Sequence, residues 1–93
     1  MTEVSHDEKT HRFVLRIEDQ EAILAYSQKG NILDFYRTFV PEPLRGLGLA
    51  EKVVKAAFDY AKEKGLKVIP SCPYVSGPFL KRYEEYRSLT SSE

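Results

Sequence analysis

An alternation of apolar and polar positions is the first regular pattern along this chain. Phe13, Leu15 and Ile17 recur at every second position, which is the period of a strand with one buried face. Two further β-like runs follow. Residues 22–26 are apolar almost throughout, and residues 32–40 are rich in β-branched and aromatic side chains. The pattern therefore predicts three successive strands that pair as an antiparallel meander.

A helical period replaces the strand period after Pro41 and Pro43, which cannot donate the hydrogen bonds of a sheet. The helix is predicted to begin between Gly46 and Gly48 and to end at a Gly65 cap. Its apolar stripe consists of Leu49, Val53, Ala57 and Tyr60, flanked by Ala50, Val54 and Ala61. A fourth strand at residues 66–71 and a last helix from Pro78 to about Tyr86 complete the prediction.

The resulting order is strand, strand, strand, helix, strand, helix. Strands three and four flank a helix, so they should be parallel. The fold class is therefore α/β (α+β), an antiparallel meander with one parallel pair. Residues 1–10 and 89–93 are polar and are predicted to be flexible tails around a single domain at residues 11–88.

Composition narrows the function mainly by exclusion. The 93 residues include 14 basic and 14 acidic side chains, so net charge does not favour binding to nucleic acid or to an anionic membrane. No apolar run approaches the roughly 20 residues that span a bilayer. The two histidines lie outside any metal-ligand pattern, so no metal is expected. A single cysteine and a polar N-terminus favour a cytoplasmic protein.

The segment Arg45-Gly46-Leu47-Gly48-Leu49-Ala50 carries the strongest chemical signal. It lies between a predicted strand and the N-terminus of a predicted helix, where unpaired N–H groups and the helix dipole favour a phosphate or diphosphate. Glycines let such a group approach the backbone without a clash with Cβ. The alternative is a simple turn that leads into the helix.

This segment resembles the acyl-CoA signature Gln/Arg-x-x-Gly-x-Gly/Ala of the GCN5-related N-acetyltransferases, with Arg45, Gly48 and Ala50 at the fixed positions. Together with Val40-Pro41 and Ile69-Pro70-Ser71-Cys72-Pro73-Tyr74-Val75, it is similar to a subfamily of very small, single-domain members. The resemblance extends from about Phe13 to Tyr86.

The resemblance implies a minimal acetyltransferase fold in which the parallel strands splay apart and acetyl-CoA enters the gap. Backbone N–H groups near Phe39 and Val40 would hold the thioester carbonyl, an oxyanion-type contact. The loop from Arg45 to Ala50 would bind the diphosphate, and Ser76 and Phe79 are further expected cofactor contacts. The acceptor would be an unknown amine or a protein.

Cys72 and Tyr83 are the candidate catalytic residues that the resemblance indicates. Cys72 lies just past the fourth strand, where the thioester should arrive, and its thiolate can carry an acetyl group. Tyr83 follows Ser76 by seven positions, the spacing at which the family often has Asn and an acidic Tyr, although Ser replaces Asn here. Each also has a structural interpretation as a core side chain.

Arg37 departs from the subfamily, whose members often have His at this point. A guanidinium cannot act as a general base. If the relatives use that His in proton transfer, Glu84, Glu85 or water would have to take over its role in this chain. The chain is also too short for the elements that build the acceptor site in full-length relatives. Two functions therefore stay open: a minimal acetyl-CoA-dependent N-acetyltransferase, or a non-catalytic acyl-CoA-binding or protein-interaction module.

Overall fold

The computed structural model describes residues 3–91, which form a five-stranded sheet with helices on one face. In sheet order the strands are β1 (Val4–Asp7), β2 (Arg12–Ile17), β3 (Gln20–Lys29), β4 (Ile32–Phe39) and β5 (Lys67–Ile69). Strands β1 to β4 pair antiparallel, and β4 pairs with β5 in parallel. The predicted α/β fold, with its meander and one parallel pair, is confirmed.

Helix α1 (Leu49–Lys64) connects the two parallel strands and covers the sheet with its apolar side. It ends at Gly65, whose φ of 71° is a left-handed conformation that glycine adopts without a Cβ clash. The N–H of Leu66 then donates to the Ala61 carbonyl at 2.8 Å, which closes the last turn. The predicted glycine cap is confirmed. Among the described residues, no helix is long and apolar enough to cross a membrane.

Phe58 of α1 contacts both the sheet and the segment that follows β5, and so connects these two parts of the core to the helix. Its ring lies edge-on to Phe35 of β4 at 5.1 Å and stacks on Phe79 at 5.4 Å and on Tyr86 at 5.1 Å. These offset and edge-to-face arrangements are favourable for aromatic quadrupoles. The chain after β5 is thereby held against α1 on the same side of the sheet.

The last helix is not the regular element predicted from Pro78 to Tyr86. A π-helical turn (Val75–Phe79) leads into a short α2 (Leu80–Arg82), and a 3₁₀ helix (Glu84–Leu89) follows. Pro78 has no N–H to donate to the preceding turn, and a wider π turn accommodates that loss.

The prediction of a flexible tail over residues 1–10 is corrected by β1. His6 of this strand faces Phe13 of β2 and stacks on it at 4.1 Å, and its Nε2 lies 2.5 Å from the Tyr26 hydroxyl. A histidine does not count as apolar in a sequence pattern, so the pattern does not identify the inward face of β1. That face is recognised only from the aromatic side chains that His6 contacts in the structure. Met1 and Thr2 lie outside the described residues.

The prediction of a flexible tail over residues 89–93 also needs correction. Thr90 forms a parallel bridge with Val68, and the N–H of Ser91 donates to the Val68 carbonyl at 2.8 Å. These contacts occupy the outer edge of β5, whose backbone groups would otherwise lack partners in the sheet. Ser92 and Glu93 lie outside the described residues.

His6 should make folding stability depend on pH. Burial lowers its pKa below the usual 6.5, outweighing the nearby charges of Glu8 and Asp7, so the folded state favours the neutral ring. The unfolded chain binds the proton more readily, so this contribution is complete above pH 6.5 and is lost as pH falls through the folded pKa.

We expect the free energy of unfolding, measured in urea, to fall between pH 7.5 and pH 5.5 by more in the wild type than in His6→Gln. Equal falls in wild type and His6→Gln would contradict the assignment.

Candidate functional site

A shift in strand pairing shapes the end of β4. Tyr26 pairs with Phe35, but Ala25 pairs with Arg37, so Tyr36 is an extra residue on β4. Such a bulge exchanges the two faces of the strand beyond it. Thr38 then lies opposite the buried Leu24, on the core side of the sheet.

Arg37 is exposed beyond this bulge and lies on the opposite face of the sheet. Its guanidinium carbon is 5.4 Å from the centre of the Phe39 ring, a cation–π arrangement. Without the extra residue, Arg37 would continue the inward alternation of Leu33 and Phe35 and would have to be buried. The bulge therefore keeps a charge out of the core.

A cavity of about 410 Å³ opens where β4 ends and α1 begins. Its walls come from the end of β4, the following loop, the first turn of α1 and one tyrosine after β5. The lining residues are Thr38, Phe39, Val40, Leu44, Arg45, Gly46, Gly48, Leu49, Ala50, Glu51 and Tyr74. The volume is within the range of about 300–1,000 Å³ that is usual for small-molecule sites.

Two glycines shape the loop on the cavity wall. Gly46 and Gly48 have φ of 87° and 76°, a left-handed conformation that is strained for other residues. A Cβ added at either position would meet no atom within 4 Å, so the space beside the backbone is open. The loop can therefore receive a ligand directly against its main chain.

The N-terminus of α1 supplies hydrogen-bond donors to the same cavity. No side chain caps this end of the helix, and the N–H groups of Leu49, Ala50 and Glu51 have no intrahelical acceptor. Arg45 holds the loop to the end of β4, because its Nε donates to the Val40 carbonyl at 3.0 Å. Free amide donors, the helix dipole and one guanidinium make this end of the cavity suited to an anion.

Cys72 lies behind the cavity, next to Thr38. The pairing of β4 with β5 ends at Asp34 and Ile69, and one further bond joins the Cys72 N–H to the Phe35 carbonyl at 2.9 Å. Beyond this bond, the described residues show no further backbone pairing between the two segments. The Cys72 sulfur is 3.3 Å from the Thr38 hydroxyl oxygen, and only 6% of the residue is exposed. Cys72 is not itself a wall residue: its thiol lies behind Thr38, which is part of the wall.

Tyr74 is the phenol on the cavity wall. Burial raises its pKa above the usual 10, the nearby Glu51 carboxylate adds to this, and the Arg82 guanidinium opposes it. The hydroxyl is therefore protonated at neutral pH and can donate a proton. Glu51 itself contacts Arg82, with 3.6 Å between its carboxylate oxygen and the guanidinium nitrogen.

The remaining predicted site residues have different positions. Phe79 does not fit the role of a cofactor contact, because it is 1% exposed and stacked on Phe58. Ser76 is exposed, and its hydroxyl lies 3.5 Å from the Pro73 carbonyl oxygen. Tyr83 ends α2 with its ring 4.9 Å from that of Phe79 and is not part of the cavity wall. Leu47, 59% exposed, is at the tip of the loop.

The wall residues that the sequence analysis did not name as site residues are Thr38, Leu44, Glu51 and Tyr74. Tyr74 follows Cys72 by two positions, and that proximity was an available signal. For Thr38 the sequence offered none, since its inward orientation depends on the pairing shift in β4.

Most of this chain is similar to proteins of one known family. Residues 12–89 match the family model described as GCN5-related N-acetyl-transferase. Protein NATD1 of Gallus gallus is 37% identical over 76 residues, which are 78% of this chain and 69% of that protein. Protein NATD1 of Homo sapiens is 36% identical over 75 residues, 77% of this chain and 66% of that protein.

A solved structure shows the same fold. The NMR structure of a GCN5-like protein from Staphylococcus aureus has a TM-score of 0.72 and 24% sequence identity, covering 98% of this chain and 89% of that one. At that identity the likeness concerns the fold.

Proposed function

The chain belongs to the GCN5-related N-acetyltransferase family, and on that premise we propose that it binds acetyl-CoA and transfers the acetyl group to an amine. The observation that carries the proposal is a cavity lined by a glycine loop and an uncapped helix N-terminus, with a thiol directly behind its Thr38 wall. Its single thiol suits a reducing compartment such as the cytoplasm.

The residues present fit the parts of acetyl-CoA. Gly46, Gly48 and the first amides of α1 would hold the diphosphate, and the apolar wall near Leu44 and Val40 would contact the pantetheine arm. Backbone N–H groups near Phe39 and Val40 would hold the acetyl carbonyl. CoA exceeds the cavity in size, so its adenosine would lie on the surface.

When bound, acetyl-CoA supplies an activated acetyl thioester. In the proposed route the Cys72 thiol gives up its proton to water, and its sulfur bonds to the acetyl carbon while the bond from that carbon to the CoA sulfur breaks. We assign the proton donor for the departing CoA thiolate to Tyr74 instead of Tyr83, because Tyr74 is the one on the wall. An acceptor amine then takes the acetyl group and frees Cys72.

One observation favours the alternative, a non-catalytic acyl-CoA-binding or protein-interaction module. In the described part of the chain, Glu51 is the sole carboxylate on the cavity wall, and it is paired with Arg82. Without a free base, the acceptor amine must arrive unprotonated or lose its proton to water. Acetyl-CoA turnover with a panel of amines distinguishes the two functions, since the module would bind CoA without turnover.

CoA should raise the melting temperature, because a ligand that binds only the folded state stabilises it. Gly48→Val should remove most of this shift and weaken CoA affinity at least about tenfold, since its side chain would fill the space left for the diphosphate. Gly65→Val is the matched control. Gly65 has φ of 71° and open space at Cβ, but it lies at the other end of α1. Equal loss of affinity in both variants would make strain, and not contact, the cause.

Cys72 can be tested by mass spectrometry of the protein incubated with acetyl-CoA alone. We expect an adduct of about 42 Da on Cys72 that hydroxylamine removes, as a thioester requires. Cys72→Ala should carry no adduct and should lose turnover while CoA affinity stays unchanged. Full activity in Cys72→Ala would exclude the covalent route and leave direct attack by the amine.

Tyr74→Phe and Tyr83→Phe form a matched pair for the proton donor. Removing the hydroxyl of a general acid costs roughly 10²-fold in kcat, so we expect that loss in Tyr74→Phe and near-normal turnover in Tyr83→Phe. The measurement is steady-state release of free CoA. The reverse result would return the role to Tyr83.

A further inference from the structure

The Thr38 side chain lies between the cavity and the Cys72 thiol. Thr38 is part of the cavity wall and Cys72 is not, and the thiol donates to the Thr38 hydroxyl oxygen at 3.3 Å. Only 6% of Cys72 is exposed. An electrophile held in the cavity therefore meets Thr38 before it meets the sulfur.

The backbone on both sides of this contact is fixed by hydrogen bonds. The Cys72 N–H donates to the Phe35 carbonyl at 2.9 Å. The Cys72 carbonyl accepts from the N–H groups of Val75 and Ser76, both at 3.0 Å. Thr38 lies within the paired part of β4. The sulfur and the hydroxyl can therefore change their relative position only by rotation of the two side chains.

Two environments compete for the sulfur. Cys72 packs in the apolar core, where a free thiol behaves as a small hydrophobic side chain. The Thr38 hydroxyl is a polar group on the cavity side, and it accepts the hydrogen bond of the thiol. A hydroxyl can also donate, so once the thiol proton has left, the same group can hold the thiolate at the wall by a charge-assisted bond. A side chain without a hydroxyl offers neither bond.

We propose that Thr38 is a positioning residue for Cys72: its hydroxyl holds the sulfur at the cavity wall and donates a hydrogen bond to the attacking thiolate. The inference rests on the proposed acetyl transfer for the identity of the electrophile. In that route the thiol proton goes to water, the sulfur bonds to the acetyl carbon and the CoA thiolate leaves. Thr38 neither gains nor loses a proton at any step.

Alkylation of Cys72 by iodoacetamide, without acetyl-CoA, measures this role. The sulfur bonds to the methylene carbon of the reagent, iodide leaves and the thiol proton goes to water. Thr38→Val keeps the shape of the side chain without the hydroxyl, so we expect alkylation at least about tenfold slower than in the wild type, the loss of one hydrogen bond to an ionised group. Thr38→Ser keeps the hydroxyl and should restore the rate. The measurement is the mass of the intact protein against time.

Valine is favoured in strands, so Thr38→Val should fold, and its melting temperature checks this. Thr10→Val is the control, because it removes a hydroxyl from an exposed turn and should react like the wild type. Equal rates in the wild type and Thr38→Val would overturn the proposal. A slow rate that Thr38→Ser does not restore would also overturn it, since the shape of the wall and not the hydroxyl would then be the cause.

Acetyl-CoA in place of iodoacetamide separates this inference from the proposed function. We expect the acetyl adduct to form more slowly in Thr38→Val at an unchanged CoA affinity, because the diphosphate would bind at the glycine loop. If the wild type gains no adduct while Thr38→Val still slows alkylation, the acetyl route fails and the positioning role stands. If both proteins gain the adduct at the same rate, the acetyl route stands and the positioning role fails.

Discussion

The pairing shift in β4 is the constraint on which the rest of this site depends. Up to Phe35 the strand alternates in step with β3 and contributes large apolar side chains to the core. One extra residue, Tyr36, then exchanges the faces, so that Thr38 lies inward and Arg37 outward. Because Thr38 is both a wall of the cavity and the neighbour of the Cys72 sulfur, it places the thiol one side chain away from the cavity that the glycine loop lines.

The loop and the thiol are held by different forces. Local backbone geometry determines the loop: two left-handed glycines, a short 3₁₀ turn (Glu42–Leu44) and the bond from Arg45 to the Val40 carbonyl. The position of Cys72 depends instead on long-range packing, since the segment after β5 is held by Phe79 and Tyr86 against Phe58. The Tyr86 hydroxyl also donates to Asp59 of α1 at 2.6 Å. Changes in the aromatic core should therefore disturb the thiol before they disturb the loop.

The two faces of the sheet differ in a way that matters for a protein of this size. Helices cover one face, and nearly all of the large buried side chains lie there. The other face carries Arg37, Phe39 and Asp34, whose buried Oδ1 has no hydrogen-bond partner within residues 3–91. A small domain has limited apolar area to bury. The free-energy cost of a buried polar atom without a hydrogen-bond donor is therefore a larger fraction of its total stability than in a large protein.

The amino-acid sequence by itself determined the elements whose signals are local. The period of Phe13, Leu15 and Ile17, the long stripe of α1 and the glycine cap at Gly65 each reflect the geometry of a few neighbouring residues. The same holds for the loop from Arg45 to Ala50. Glycines just before a helical pattern are a local signal, and recognising them requires no knowledge of which strands pair.

Only the tertiary structure decided features that depend on contacts between distant residues. His6 belongs to a strand because Phe13, Tyr26 and Tyr60 surround it, and Thr90 is ordered because β5 offers it an open edge. Phe79 is in the core and Tyr74 on the cavity wall because of a π turn at Pro78 and the aromatic packing beyond it. Periodicity in the sequence shows which residues share a face, but the pairing of strands decides what that face contacts.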